Sequence, residues 1–267
     1  MIVDAHLHVF RKAALDGREP DALVPAEREA TIEQLTGLMD AHGVDRAVLV
    51  GLDDHDEYVA SVLGPRFAAI AVGLHDLRQR RERFAFDGVR TMTLDGVEDG
   101  LRYAADNGLV LWTYLAPDQL PNLLQLPERF PDLPIVLNHL GFFPHDMQVD
   151  EHGRPRFADP LPAERVDAVI SLARYGNVHV MLSGQYALSA EDPPYRDLDP
   201  VIQRLADAYG ADRMLWASDH PWIDEVPGYA TMLSLPEHAL PDASAAELAA
   251  IRGGTALRLF PRLTRGT

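Results

Sequence analysis

The chain contains no cysteine and only one lysine. The first absence excludes disulfides and thiolate metal ligands and fits a reducing compartment, so a cytoplasmic protein is expected. The second leaves Lys12 as the sole candidate for a buried catalytic or carbamylated lysine; the other basic residues, of 24 in all, are arginine. No run of about 18 uncharged apolar residues occurs, which predicts no membrane-spanning helix. No basic segment leads an apolar one at the N-terminus, so no signal peptide is expected. Positive charge is scarce overall: 24 basic residues against 41 acidic ones give a formal net charge of −17. Such a surface repels nucleic acid and anionic membranes, leaving a small-molecule substrate as the expected partner, with a homo-oligomer allowed.

What the chain does have is a regular succession of short apolar runs. Eight of them, at 2–9, 46–52, 67–74, 87–94, 109–115, 134–140, 177–184 and 213–219, read as strands buried on both faces. Segments with helical spacing alternate with them, at 31–42, 97–107, 117–129, 163–175, 199–209 and 244–259. The last opens with Ser244 as N-cap and Glu247 completing a capping box. Strand–helix alternation implies parallel β/α units, and eight units in 267 residues predict one α/β domain over 1–267, a (β/α)8 TIM barrel. The segments after the first, sixth, seventh and eighth strands (10–30, 141–162, 185–198, 220–243) are long and polar, whereas helix-to-strand turns are short. Long loops therefore gather at the C-terminal ends of the strands, the catalytic face of such barrels.

Ionisable residues concentrate at those ends. The first strand carries Asp4-Ala5-His6-Leu7-His8. Strict alternation would put Asp4, His6 and His8 on one face, an arrangement that is unfavourable in a buried strand unless the groups pair, bind a metal or do chemistry. With 11 histidines in 267 residues, a His-x-His is expected about 0.4 times by composition alone, so the motif gains its weight from position. The sixth strand ends Asn138-His139 and the eighth ends Ser218-Asp219-His220. In a closed barrel His6, His8, His139 and Asp219 converge on one pocket. Imidazoles with a carboxylate suit a Zn²⁺-type site with an open position. Alternatively, Asp219 is a general base and the histidines orient water and stabilise developing charge.

Simpler readings compete. Strand histidines are often hydrogen-bonded core residues, Asp219 could cap a helix ahead of Pro221, and His139 before Leu140-Gly141 could be a turn residue. Asp4 either holds a histidine tautomer or touches the site directly. Arg90 either clamps a substrate carboxylate or pairs internally with Asp4 or Asp53. Asp53-Asp54-His55 is a helix start or a site. Tyr114, Tyr186 and His220 are candidate substrate-binding residues, and Trp112, His145 and Trp222 are candidate pocket walls.

The run Asp4-x-His6-x-His8, with Gly88-Val89-Arg90, Val136 to Gly141, Asn177-Val178 through Leu182-Ser183-Gly184, Leu215 to Asp219 and Ile251 to Phe260, resembles the amidohydrolase-related branch of the metal-dependent hydrolases. It is most similar to the group of sugar-lactone and 2-pyrone-4,6-dicarboxylate lactonases, over essentially the whole chain. The resemblance implies metal- or water-handling roles for His6, His8 and Asp219, an assisting His139, and Asp219 as general base. The fifth strand lacks the histidine usual in decarboxylases and binuclear enzymes of this superfamily, and a bridging lysine is missing, so at most one metal is expected. Zn²⁺ is favoured, with metal-independent catalysis as the alternative. Asn138 stands where Asp is common, and Met181 where Lys is common. The expected activity is opening of a lactone of a small hydroxylated or carboxylated acid. The rivals are non-oxidative decarboxylation and a catalytically silent, ligand-binding barrel.

Overall fold

The computed structural model describes residues 1–52 and 56–265, so Asp53-Asp54-His55 lie outside the described residues. All eight expected strands form: β1 (Val3–His8), β2 (Arg46–Val50), β3 (Phe67–Val72), β4 (Gly88–Thr91), β5 (Val110–Thr113), β6 (Ile135–Leu137), β9 (Val178–Leu182) and β10 (Met214–Trp216). They lie in one parallel sheet in the order β1-β2-β3-β4-β5-β6-β9-β10. Just beyond β10, Asp219 N–H donates to the His6 carbonyl at 3.0 Å and His8 N–H to that of His220 at 2.8 Å, drawing the two ends of the sheet into a nearly closed barrel. The intervening β7 (Gln148–Val149) and β8 (Pro155–Arg156) form an antiparallel hairpin in the segment after β6. Two-residue strands carry no readable periodicity, and 141–162 is expected only as a loop.

The helical segments expected at 31–42, 97–107, 117–129, 163–175 and 199–209 are present. Capping boxes close the starts at Thr31 with Gln34 and at Ser244 with Glu247. The final segment is α-helical, then a π-turn over Ala250–Gly254, then α-helical to Leu259. One correction concerns 220–243, expected as an irregular loop: Tyr229–Ala239 is helical. Pro236 in its interior hides it from a reading by breakers.

Side chains sort the barrel into two layers. Leu49, Leu111, Leu137 and Val180 face the helices, while Val48, Val50, Ile70, Val110, Trp112, Val136 and Met181 fill the interior. Phe260 and Leu263 of the C-terminal segment join this interior cluster. The Leu263 carbonyl accepts from Arg46 at the start of β2, and Gly253 lies so close that a Cβ there would sit 2.4 Å from the Met1 carbonyl oxygen. Apolar packing therefore plugs the N-terminal end of the barrel and leaves the other end for chemistry.

The first strand departs from strict alternation. Asp4 pairs with Ala47 and Leu7 with Leu49, so Ala5 and His6 together oppose Val48. This β-bulge turns Ala5, His6 and His8 inward and leaves Asp4 on the other face. The expectation that Asp4 shares a face with both histidines is thus corrected: one extra residue in the strand shifts its phase.

Candidate active site

His6 and His8 are placed by the bulged β1, His139 by the turn after β6, and Asp219 by the turn after β10. His6 Nε2 lies 3.3 Å from His8 Nε2. Both nitrogens are 3.8 Å from Asp219 Oδ1, and His139 Nε2 is 3.8 Å from Asp219 Oδ2. All four residues are buried. His139 (φ 48°), Leu140 (φ 61°) and Asp219 (φ 63°) occupy the left-handed region, where a β-carbon is strained. His139 is therefore both a turn residue and a member of the cluster. Asp219 does not cap a helix; its neighbours are fixed instead by Asp4, which accepts from Ser218 N–H at 2.9 Å and from Tyr229 Oη at 2.6 Å. Asp4 thus grips the segment that carries Asp219, and it does not pair with Arg90.

Hydrogen bonds assign distinct jobs to the atoms of the cluster. His8 Nδ1 lies 3.1 Å from the Gly51 carbonyl, which can only accept, so Nδ1 holds the proton and Nε2 presents its lone pair. His139 Nδ1 meets Ser183 Oγ at 2.9 Å. Tyr186 Oη donates to Asp219 Oδ2 at 2.6 Å, whereas Asp219 Oδ1 has no hydrogen-bond partner among the described residues. Burial pushes the Asp219 carboxyl up to about 7, against the lowering effects of the Tyr186 bond and of Arg90. Burial also drives the His139 imidazole down to about 3, helped by the charge of Arg90, and drives His6 and His8 well below the usual histidine range. Three neutral imidazoles therefore surround a buried carboxyl group, one oxygen of which has no hydrogen-bond partner among the described residues.

A cavity of about 280 Å³ opens onto the cluster and is lined by His8, Arg90, Tyr114, His139, Tyr186, Asp219 and Trp222, with Arg18, Met92 and Met147 farther round its wall. Of the expected substrate-binding residues, Arg90, Tyr114 and Tyr186 are on this wall. Burial and the nearby Asp219 raise the Tyr114 and Tyr186 phenols, so both stay protonated donors at neutral pH. His220 is elsewhere: it is buried, bonded through Nδ1 to Asp224 at 2.7 Å, and it is not part of the cavity wall. Trp112 packs against His6 from inside the barrel, with ring centroids 4.7 Å apart. Lys12 pairs with Glu27 on the surface.

The amidohydrolase family model matches residues 3–262. The chain belongs to the amidohydrolase family. L-fucono-1,5-lactonase of Burkholderia ambifaria is 28% identical over 243 residues, which cover 82% of this chain and 80% of that protein. Among solved structures, a Burkholderia multivorans amidohydrolase with bound zinc superposes with a TM-score of 0.79 at 22% identity, over 98% of this chain and 99% of that one. A Pseudomonas putida protein with the provisional name 2-pyrone-4,6-dicarboxylic acid hydrolase does so with a TM-score of 0.77 at 22% identity, over 98% and 97%. The two structural likenesses establish the fold.

The donor set fits the divalent metal usual in this family. His6, His139 and Asp219 offer donor atoms that all lie within 4.8 Å of one another, and the unprotonated His8 Nε2 stands beside them, 3.3 Å from His6 Nε2. Neutral imidazoles and a carboxylate oxygen without a hydrogen-bond donor are what such a cation requires. The fit draws His139 into the set alongside the expected His6, His8 and Asp219.

Sequence reading missed two contributors. Tyr229, which holds Asp4, sits in the helix masked by Pro236. Ser183, which meets His139, is visible only as the middle of Leu182-Ser183-Gly184. The role of Tyr186 as a donor to Asp219 has no sequence signal, since it depends on how the segment after β9 folds back over the site.

Proposed function

We propose that the protein opens the ester bond of a small lactone, and that Asp219 takes the proton of the attacking water. The observation that carries this reading is the division of labour at Asp219: Tyr186 occupies Oδ2, and Oδ1 is buried 3.8 Å from the Nε2 atoms of His6 and His8 with no donor of its own among the described residues, in a residue that lines the cavity. A carboxyl raised to about 7 is a stronger base than an ordinary aspartate and still ionises near neutral pH. Water adds to the lactone carbonyl as Asp219 accepts its proton. The ring C–O bond then breaks, and the leaving alkoxide recovers that proton, so a hydroxy acid departs. His139, held by Ser183, and the two first-strand histidines line the reacting centre as neutral groups. A divalent cation held by His6, His139 and Asp219, with His8 adjacent, supplies Lewis-acid polarisation when bound; zinc is the cation this donor set favours. Arg90, Tyr114 and Trp222 on the cavity wall orient the ring. The names of the lactonase relative and of the pyrone hydrolase support the reaction class.

The test is a panel of sugar lactones and carboxylated lactones, followed by pH-stat titration and by CO₂ detection on the same samples. Acid release without CO₂ is expected. CO₂ release would assign the cluster to decarboxylation, and ligand binding without turnover would leave a silent barrel.

A further inference from the structure

Arg28 lies in the long segment after β1 and is not part of the cavity wall. Its backbone is fixed. Arg28 N–H donates to the Pro25 carbonyl at 3.0 Å, and its own carbonyl accepts from Arg18 Nη2 at 3.2 Å. Two residues on, Ala30 and Phe10 exchange N–H···O bonds of 2.9 Å in both directions. From this base the guanidinium reaches its own loop and two others. Nη1 donates to the Leu23 carbonyl at 3.0 Å and to the Gly153 carbonyl, between β7 and β8, at 2.8 Å. Nη2 makes a longer contact, 3.4 Å, with the Pro221 carbonyl in the turn after β10. Gly153 is built for this approach: its φ is +66°, and a Cβ there would stand 3.0 Å from Arg28 Nη1.

The same guanidinium stacks on an indole. Arg28 Cζ lies 4.5 Å from the centre of the Trp222 ring. The Phe10 ring runs nearly parallel to that ring, 24° apart in plane and 6.2 Å between centroids, and the His8 imidazole is 5.8 Å from it. Trp222 is buried and lines the cavity together with His8 and Asp219. The carbonyl bonds alone would make Arg28 a staple between loops. The indole gives it a second role, because Trp222 connects the staple to the cavity wall.

We propose that Arg28 is a positioning residue that acts through Trp222: it fixes the indole beside His8 and thereby sets the shape of the cavity wall against which the substrate ring rests. For turnover this rests on the lactonase reading above. Asp219, His8 and His139 keep anchors of their own in Tyr186, the Gly51 carbonyl and Ser183, so Arg28 governs how the substrate is held rather than how the proton moves.

The variants are Arg28→Met, which keeps the stem and removes the cation and its donors, and Arg28→Lys, which keeps the cation and loses the fork. Arg28→Met is expected to raise KM for the best lactone by about fivefold to tenfold, within the range of a partly desolvated cation–π contact, with kcat within about threefold of the wild type. Arg28→Lys should recover part of the KM. In a Trp222→Phe background, Arg28→Met should add little further to KM, because its target is gone. A reading free of turnover comes from fluorescence. The chain has three tryptophans, of which Trp112 and Trp216 are wholly buried. The difference between wild type and Trp222→Phe isolates the Trp222 emission, and acrylamide should quench that component more readily in Arg28→Met. Thermal melting of each sample separates this from general loosening. Where Arg28→Met does not fold, Gly153→Ala displaces the guanidinium while keeping the cation and is read in the same way. Equal KM effects with and without Trp222, or unchanged quenching of its emission, overturn the proposal. Raised quenching with no turnover of any lactone keeps Arg28 as the anchor of Trp222 and sinks the lactonase reading instead.

Discussion

The two ends of the barrel are built on opposite rules. At the N-terminal end, Phe260 and Leu263 complete an apolar interior, and the turns entering the strands use glycine wherever the chain goes left-handed, at Gly43, Gly108 and Gly210. At the C-terminal end, every non-glycine residue with positive φ among the described residues is found: Asp76, His139, Leu140, Asp146, Asp159, Tyr195 and Asp219. That end also holds the buried polar atoms of His6 and Asp219 that lack hydrogen-bond partners. One end is optimised for stability. The other accepts strained backbone and desolvated charge, of order 1–3 kcal/mol per strained residue, because its side chains must converge rather than relax. The sharpest way to break this comparison is to alter one end and see whether only the predicted property responds.

The largest expected effect is on turnover. Asp219→Asn keeps the shape of the side chain and can still accept from Tyr186, but it cannot take a proton at neutral pH. Removal of a general base typically lowers the rate by ~10² to 10⁴, or about 3 to 5 kcal/mol of barrier. Steady-state kinetics on the best lactone, with melting of the same preparation, measures it. A variant that retains most of its kcat would show that the proton leaves through another group, with His139 next in line.

How much of this contrast was legible beforehand depended on whether a feature is local. The eight strands are, because each is a nearly unbroken apolar run between turn residues. Their C-terminal placement of His6, His8, His139 and Asp219 follows once the strands are counted. The β-bulge is not local: it exists only in the pairing of β1 with β2, where Ala5 and His6 share Val48 as partner. Reading β1 by period two alone therefore misplaced Asp4. The same holds for Tyr186 and Arg18, whose partners lie 33 residues away at Asp219 in one case and in backbone carbonyls in the other. Carbonyl acceptors leave no trace in a sequence. Asp150 illustrates it again: it ties Arg154 and Arg156 together, Arg156 reaches the Tyr186 carbonyl at 2.6 Å, and a two-residue hairpin thereby braces the donor to Asp219.

A second effect appears in stability against pH. The Asp219 carboxyl ordinarily ionises at 3.8 and in the folded protein at about 7. Between those values the folded state holds a proton that the unfolded state has released, so this group removes stability as pH rises from about 4 to 7. The upper bound is a few kcal/mol, at about 1.4 kcal/mol for each pKa unit. Chelator-treated Asp219→Asn should therefore gain on the chelator-treated wild type across that window and hold a constant lead above it. Zinc should raise the melting temperature of the wild type more than that of the variant. A stability difference that is flat between pH 4 and 8 would contradict the burial argument.

Gly184→Ala tests the crowding at the functional end. Its φ is +75°, and a Cβ would stand 2.8 Å from His139 Nδ1 and 2.9 Å from the His139 Cβ and Cγ. The imidazole would have to move off Ser183, and the backbone would be strained as well. A loss of ~1–3 kcal/mol in stability is expected together with a fall in kcat of about tenfold. Urea melts and kinetics on one sample read both, and an unchanged kcat would mean that His139 tolerates displacement.

The smallest effect, and the control for the whole contrast, is Gly43→Ala. Gly43 closes the helix Ile32–His42 with φ +69° and donates to the Met39 carbonyl. A Cβ there would meet nothing within 4 Å, so only the backbone preference is disturbed. Alanine in that conformation should lower stability by about 1 kcal/mol. Because Gly43 sits on the turn entering β2, at the apolar end, kcat/KM should stay within about twofold of the wild type. Matching its stability loss to that of Gly184→Ala by choice of temperature then isolates the geometric effect on His139. If activity falls equally in both variants at equal stability, the two ends are mechanically coupled, and strain at the mouth cannot be treated as separate from packing at the floor.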